Sequence, residues 1–363
     1  MKAHNPKNPL RHIINRMKCP LKAQGLERGA CLTRTHDGQL LPACQVTLRK
    51  NENGMFERLI RSMHLSRPED YFSIYQSGCN HTCLKCHSAE FSKTTNGEWI
   101  STPELALIAK DYRQEVTLWE PRHRATMWHA GTLCKHCGSC RLTGLQSPQC
   151  PQILELTQVT VSVQGYGPAR NIIAFTGGDL GCRPEYYAEA AHAIKEAAGQ
   201  NMWVLFETNG YALTRDNLDI LKEGGVDAFW LDIKAHDPKI YKQLCGTSNQ
   251  TVLESVSLSH DAGFVLEILT LYIPGWVETD QHTAIAQLIA ETDPTIPTTL
   301  LAFFPTYQLS QTRPPTLQEM IQSAQAMQQQ GLTNLHLGNI GVFVHRQQDY
   351  DTLCSELNDI NIG

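Results

Sequence analysis

The chain lacks a strong excess of either charge: 31 lysines and arginines against 36 acidic residues leave a net charge of -5 over 363 residues. Without a basic footprint, nucleic acid is not an expected partner. No apolar run is long enough to span a bilayer, so a membrane partner is not expected either. The first 24 residues are basic, with Lys2, Lys7, Arg11, Arg16, Lys18 and Lys22 and no acid. They contain no apolar stretch of the kind a secretory signal needs and read as a solvated arm. Disorder is not indicated, since 41% of the residues are hydrophobic. Also missing is the even cysteine framework of a small secreted domain. The 13 cysteines are odd in number and grouped in tight runs, which points to metal ligation in a reducing cytoplasm.

Residues 1–66 read as a loosely structured leader with Cys19, Cys31 and Cys44, too widely spaced to assign. Tyr71–Gln76 reads as a short buried strand leading into Gly78-Cys79, and Thr102-Pro103-Glu104 as a helix start with Thr102 as its cap. Residues 113–168 carry aromatics, prolines and four cysteines without sustained periodicity and read as an insert. From Ile172 a regular alternation begins. Strands are expected at Ile172–Phe175, Met202–Phe206, Val226–Ile233, Phe264–Ile273 and Thr298–Phe304. Helices are expected at Pro184–Ala198, at Leu213–Glu223 with Thr214 as cap, around Thr251–His260, and from a Thr316/Glu319 capping box to Gly331. This order predicts an α/β fold with a parallel sheet, a partial (β/α)6 TIM-type barrel spanning 67–310, followed by a C-terminal helix and tail at 311–363. In such sheets chemistry collects at the carboxyl ends of strands. That is where Cys79, Gly177–Asp179, Glu207–Asn209, Asp232–Lys234 and Phe304–Tyr307 fall.

Cys79, Cys83 and Cys86 form a C-x3-C-x2-C run on the loop after the first strand. Three thiolates can hold three irons of a [4Fe-4S] cube and leave the fourth open, which makes that iron a binding position. A zinc knuckle is the alternative, but it wants four closed ligands and only His87 lies nearby. Cys134, Cys137 and Cys140 form a ferredoxin-type C-x2-C-x2-C run that Cys150 can close into a four-thiolate auxiliary [4Fe-4S] site. A structural zinc site, with His136 as a ligand, is the alternative. Cys182, Cys245 and Cys354 read as buried thiols, with Cys182 set apart by its place after Thr176-Gly-Gly-Asp179.

These motifs resemble the radical S-adenosylmethionine (SAM) superfamily, and within it the pyruvate formate-lyase activating enzymes that activate glycyl-radical enzymes. The resemblance runs from about residue 70 to 310. It rests on the ordered set of the cysteine motif, TGGD at 176–179, ETNGY at 207–211, LDIK at 231–234 and YIPGW at 272–276. ERGACLTRTHDGQL at 27–40, FFPTYQL at 303–309, RPPT at 313–316 and HLGNIG at 336–341 are similar to the AmmeMemoRadiSam branch. The resemblance implies that the open iron chelates the amino and carboxylate groups of SAM. It places Gly177, Gly178 and Asp179 along the methionine amino group. It puts Glu207, Thr208 and Asp232 around a monovalent cation, Lys234 on the SAM carboxylate, and Asn209 and His87 beside the cofactor. Asp179 stands where the family usually has glutamate, Lys85 where an aromatic often packs near adenine, and Phe304-Pro305 where some activases carry histidine.

The implied chemistry is reductive cleavage of SAM to a 5'-deoxyadenosyl radical that abstracts hydrogen from a substrate, with flavodoxin or ferredoxin as electron donor. The substrate is expected to be a protein, with activation of a glycyl-radical enzyme as one form of that reading. Modification of another peptide or of a small molecule is the alternative. The non-enzyme alternative is an iron-sulfur electron carrier or a zinc scaffold. Nothing resembles a cobalamin-binding domain.

Overall fold

The computed structural model describes residues 18–148, 150–152, 154–357 and 360–362. The basic residues Lys2, Lys7, Arg11 and Arg16 of the expected solvated arm lie outside them. The main sheet is built on β1 (Phe56–Leu65), β2 (Phe72–Gln76), β3 (Ile172–Gly177), β4 (Trp203–Thr208), β5 (Ala228–Asp232), β6 (Val265–Tyr272), β7 (Thr298–Ala302), β8 (Leu335–Gly338) and β9 (Asn361–Ile362). From β2 onward every neighbour is parallel and follows in sequence order. The helices α1 (Thr102–Glu115), α2 (Pro184–Ala198), α3 (Arg215–Gly224), α4 (Pro238–Cys245), α5 (Gln250–Asp261), α6 (Thr279–Thr292), α7 (Leu317–Gln329) and α8 (Gln347–Glu356) accompany the strands. The sheet does not close among the described residues, as expected of a partial barrel.

Each central strand is apolar on both faces, because one side packs on helices and the other on the barrel interior. In β3, Ile173 and Phe175 join the large outer core, while Ile172 and Ala174 join a smaller cluster with Tyr71, Ala125, Leu205 and Ala228 inside the barrel. The insert fills that interior: Ala125 belongs to the small cluster and Met127 packs against it. The Trp128 backbone N–H donates to Glu267 at 2.7 Å.

Several expectations need correction. The 1–66 leader is not loosely structured from residue 32 onward. Its β1 pairs antiparallel with β2 and extends the sheet, flanked by Leu48–Lys50 and Glu98–Ser101. The α1 cap is Ser101, whose side chain accepts from the Glu104 backbone N–H, while Thr102 bonds Glu189 instead. Helix α1 runs to Glu115, three residues into the expected insert. Helices α4 and α6 were not expected. Beyond α7 the expected tail carries β8, α8 and β9, and its two strands continue the sheet.

Ser101→Ala removes the side-chain half of the α1 capping box, leaving the backbone N–H bond to Glu104, and should lower stability by about 1 kcal/mol in urea unfolding. Thr102→Ala, measured alongside, should leave that box intact. Equal loss of α1 hydrogen-exchange protection in the two variants would contradict the assignment of Ser101 as the cap.

Candidate functional site

The loop carrying the first three cysteines is fixed by its backbone before any cofactor is considered. Gly78, immediately before Cys79, has φ of 77°. A Cβ there would meet Thr47 Oγ1 at 2.5 Å, so only glycine lets the chain turn. Gly178 approaches so closely that its Cβ would lie 2.3 Å from the Gly78 carbonyl oxygen. The fully buried Arg58 of β1 donates from one terminal nitrogen to both the Gly78 and Gly178 carbonyls, at 3.2 Å each. Beyond Cys79, the Asn80 N–H donates to the Asp179 carbonyl at 2.9 Å. The Thr82 and Leu84 N–H groups donate to the Cys245 and Leu244 carbonyls at the end of α4, both at 2.9 Å. His81 is buried, within 2.9 Å of Asn80 Oδ1 and 3.0 Å of the Tyr241 hydroxyl, and burial holds it well below its ordinary pKa. Gln308 reaches from the C-terminal motif to donate to the Leu84 carbonyl at 3.0 Å. Thus the leader, the 176–179 turn, α4 and the tail all hold one loop.

Cys79, Cys83 and Cys86 open together on a cavity of about 370 Å³, within the ~300–1,000 Å³ usual for small-ligand sites. His87, Gly177, Asp179, Glu207, Thr208, Asn209, Asp232 and Lys234 line the same cavity. Gly178 stands behind the wall, its carbonyl turned to Arg58. The Asp179 carboxylate is largely engaged: it accepts from the Thr208 hydroxyl and the Asn209 N–H at 2.8 Å each and from the Gly181 N–H at 2.6 Å. The Asn209 side chain donates to Asn80 Oδ1 at 2.7 Å. These two residues therefore brace the loop as well as line the cavity.

The electrostatics divide the cavity. On one side Lys234 pairs with Asp232. Burial opposes both charges, yet Lys234 and Lys85 keep Asp232 below its ordinary pKa, and Asp232 in turn raises Lys234. Lys85 is pushed down to about 8 by burial and sits 3.2 Å from His87 Nε2. The Cys83 thiol is lowered by a hydrogen bond from Cys245 and by Lys234 and Lys93. On the other side lies a carboxylate group that the sequence reading recognised only in Glu207. Burial pushes Glu207 up to about 8 despite bonds from Thr176 and Tyr71, and neighbouring Glu69 and Glu267 add to the rise. Glu69 Oε2 and Trp230 Nε1, both from cavity-lining residues, are buried without a partner among the described residues.

The auxiliary group lies on the insert. Cys134 lines a second cavity of about 210 Å³ with Met127, His136, Leu301 and His336. Burial raises the Cys134 thiol, and Asp70, Cys140 and Cys150 add to the rise. Cys137 is exposed. His136 points to Asp70, 3.0 Å from each carboxylate oxygen, rather than to the thiols.

Among the described residues no three His, Cys, Asp or Glu side chains are already drawn to single-ion distance. The fit to a cofactor rests on other observations. Three thiols on one braced loop share a ligand-sized cavity with an acid–lysine pair and two orphaned buried polar atoms. That donor set suits a thiolate-bound iron-sulfur cube and a zwitterionic ligand.

An open parallel sheet with a tri-cysteine loop at its carboxyl edge defines the class. Residues 133–289 match the family model described as the radical SAM superfamily. The matched stretch, less than half of the chain, spans the TGGD, ETNGY, LDIK and YIPGW motifs and begins after the tri-cysteine loop. The chain is 29% identical over 161 residues to an uncharacterized protein of Methanocaldococcus jannaschii, covering 43% of this chain and 46% of that protein. The chain thus matches just under half the length of that curated relative. It is similar to a domain of pyruvate-formate lyase-activating enzyme from Bacteroides vulgatus at 17% identity, over 46% of this chain and 98% of that one, with a TM-score of 0.39. It is also similar to coproporphyrinogen III oxidase from Escherichia coli, titled a radical SAM enzyme, at 13% identity over 45% and 41% of the chains, with a TM-score of 0.37.

Arg58→Met should strip both glycine carbonyls of their buried donor, lowering stability by roughly 2–6 kcal/mol at about 1–3 kcal/mol per orphaned group. Iron uptake after reconstitution should fall with it. Full iron uptake and unchanged stability would show that Arg58 does not hold the loop.

Glu207 supplies a pH test. Its pKa lies above the ordinary 4.5, so the folded chain binds this proton more tightly than the unfolded chain. The stabilisation is complete below about 4.5 and is lost as pH rises through about 8. Glu207→Gln keeps a neutral side chain at all pH values. Its stability relative to the parent should therefore improve steadily between about pH 5 and 8 and level off above. Urea unfolding across that range checks this; a difference independent of pH would contradict it.

Proposed function

We propose that Cys79, Cys83 and Cys86 hold a [4Fe-4S] cluster and that the protein cleaves SAM reductively to take a hydrogen atom from a protein substrate. The observation that carries this reading is the shared cavity, in which the three thiols, the Asp232–Lys234 pair and the ends of β3, β4 and β5 meet. When bound, the cluster supplies one electron to the sulfonium of SAM, which releases methionine and the hydrogen-abstracting 5'-deoxyadenosyl radical.

The chain's own residues do the rest. Lys234 binds the SAM carboxylate, with Asp232 holding its ammonium in place. Gly177 keeps the wall beside the methionine amino group bare. Glu207 and Thr208 provide oxygens for a monovalent cation, which would draw Glu207 back to its ionised form. Trp230 Nε1 and Glu69 Oε2 offer one donor and one acceptor to the rest of the nucleoside or to substrate. The enclosing walls keep water from the reacting atoms.

A protein substrate is favoured by the insert, where Leu142, Leu145, Val161 and Val163 are exposed, the last at 91%. Apolar side chains gathered on one appendage suit a docking surface. Activation of a glycyl-radical enzyme is the narrower form of this reading. Flavodoxin or ferredoxin would deliver the electron, and Cys134, Cys137, Cys140 and Cys150 would hold an auxiliary [4Fe-4S] cluster.

Anaerobically reconstituted protein given SAM and dithionite should form 5'-deoxyadenosine. Cys83→Ala should abolish it, whereas Cys137→Ala should leave uncoupled cleavage. Parent-level product from Cys83→Ala would overturn the proposal.

A further inference from the structure

Part of the first cavity is walled by residues that none of the SAM motifs supplies. Trp230 lies on β5 two residues before Asp232, so it enters from the same face about 7 Å deeper, at roughly 3.3 Å of rise per residue. In the sheet register it stands between Glu207 of β4 and Glu267 of β6. Glu69 enters from the turn ahead of β2, and that turn is anchored on every side. The buried Arg170 side chain donates to the Glu69 carbonyl at 3.2 Å. The Arg170 N–H donates to the Asp70 carbonyl at 2.8 Å. The Asp70 carboxylate is held by Arg67 at 2.6 Å and by His136 of the insert at 3.0 Å. Tyr71, next in the chain, donates to Glu207 at 2.9 Å. By contrast, Cys79–Cys86, Gly177–Asp179, Thr208 and Asp232–Lys234 sit at or beyond the carboxyl ends of their strands. A cofactor held from that rim leaves the deeper wall to the molecule it reacts with.

We propose that Trp230 and Glu69 form a substrate subsite for an amide group, the indole N–H donating to its carbonyl and Glu69 Oε2 accepting from its N–H. This rests on the reading of the cavity as the SAM site. The indole nitrogen is a donor only, and an ionised carboxyl oxygen an acceptor only. Both atoms are buried and have no partner among the described residues, so each carries a desolvation cost that a matching ligand relieves. The polar groups around them are already engaged. The two Glu207 oxygens accept from Tyr71 and Thr176. Glu267 accepts from the Trp128 N–H at 2.7 Å and from Thr299 at 3.1 Å. The Tyr75 hydroxyl lies 3.2 Å from Ser66 Oγ. One donor and one acceptor remain, and a secondary amide presents the complement of both. An ammonium group would satisfy Glu69 but leave the indole N–H facing a cation. A carboxylate would satisfy the indole but meet Glu69 as a like charge. Leu269 adds an apolar surface to the same cavity. Such an amide belongs either to a peptide backbone or to a small cyclic molecule, and the test separates the two.

Titration of the full-length, reconstituted protein, with SAM present and no reductant, tests this. The nitrogen-15 indole signal of Trp230, identified by its absence from Trp230→Phe, should move on adding N-acetylglycine N-methylamide or 2-pyrrolidinone. Tighter binding of the first assigns a peptide substrate and of the second a small cyclic amide; either supports the subsite. N-acetylsarcosine dimethylamide and γ-butyrolactone keep the carbonyl but lack the N–H. Each should bind about tenfold more weakly than its N–H-bearing counterpart. Glu69→Leu should reduce that preference to about twofold or less. Should this variant not fold, the comparisons in the parent protein still decide. An unmoved Trp230 signal, equal binding of the N–H-free analogues, or a full preference in Glu69→Leu would overturn the subsite. So would tighter binding of propylamine or 2-propanol than of both amides. Formation of 5'-deoxyadenosine by the parent, assayed separately, reports on the SAM reading, so the two failures are told apart.

Discussion

One buried guanidinium joins the two turns on which the whole site depends. Arg58 lies in the interior and takes both the Gly78 and Gly178 carbonyls as acceptors. A side chain at Gly178 would collide with the Gly78 carbonyl, and one at Gly78 with Thr47. This closure sets Cys79 beside the end of β3 and lets Asn80 bond Asp179. Because Arg58 bonds carbonyls on both turns, the leader strand that carries it is part of the architecture of the site.

From that closure follows the division of labour around the cavity. Residues that look from sequence like ligand contacts split into two kinds. Asp179 and Asn209 spend most of their hydrogen-bonding capacity on the loop itself. Lys234, Asp232 and Lys85 form a charged wall, and Glu207 and Glu69 form one of buried carboxyl groups, with Glu267 behind it. The two walls suit different ends of a ligand that carries both charges, and the thiols lie with both on the same cavity. The insert plugs the barrel interior with Ala125 and Met127 and also carries the second cysteine group, so that group is coupled to the same core.

Much of this was legible in the residues. The helix Pro184–Ala198 coincides with the reading at both ends, and the strands from β3 to β7 lie within two residues of it at nearly every boundary, because apolar runs and Gly stops are local signals. The tri-cysteine loop and ten other cavity-lining residues of the site were named from motifs. What escaped was long-range or broke a pattern. Arg58 is a buried charge in a strand that also carries Glu57, Arg61 and His64, so β1 shows no clean alternation. Helix α4 had its Asp237 cap and Gly246 stop in plain view, but at eight residues it has too little periodicity to stand out. His81 and Cys245 act on the cysteine loop through tertiary contacts, with Cys245 more than 150 residues away in sequence.

The central claim is that the three thiolates leave one iron of a cube free for the amino and carboxylate groups of SAM. Electron–nuclear double resonance on the reduced, reconstituted protein reads this directly, using SAM labelled with nitrogen-15 at the amino group and oxygen-17 at the carboxylate. Hyperfine coupling from both labels to the cluster is the predicted result. A reduced cluster whose spectrum is indifferent to saturating labelled SAM would contradict the account.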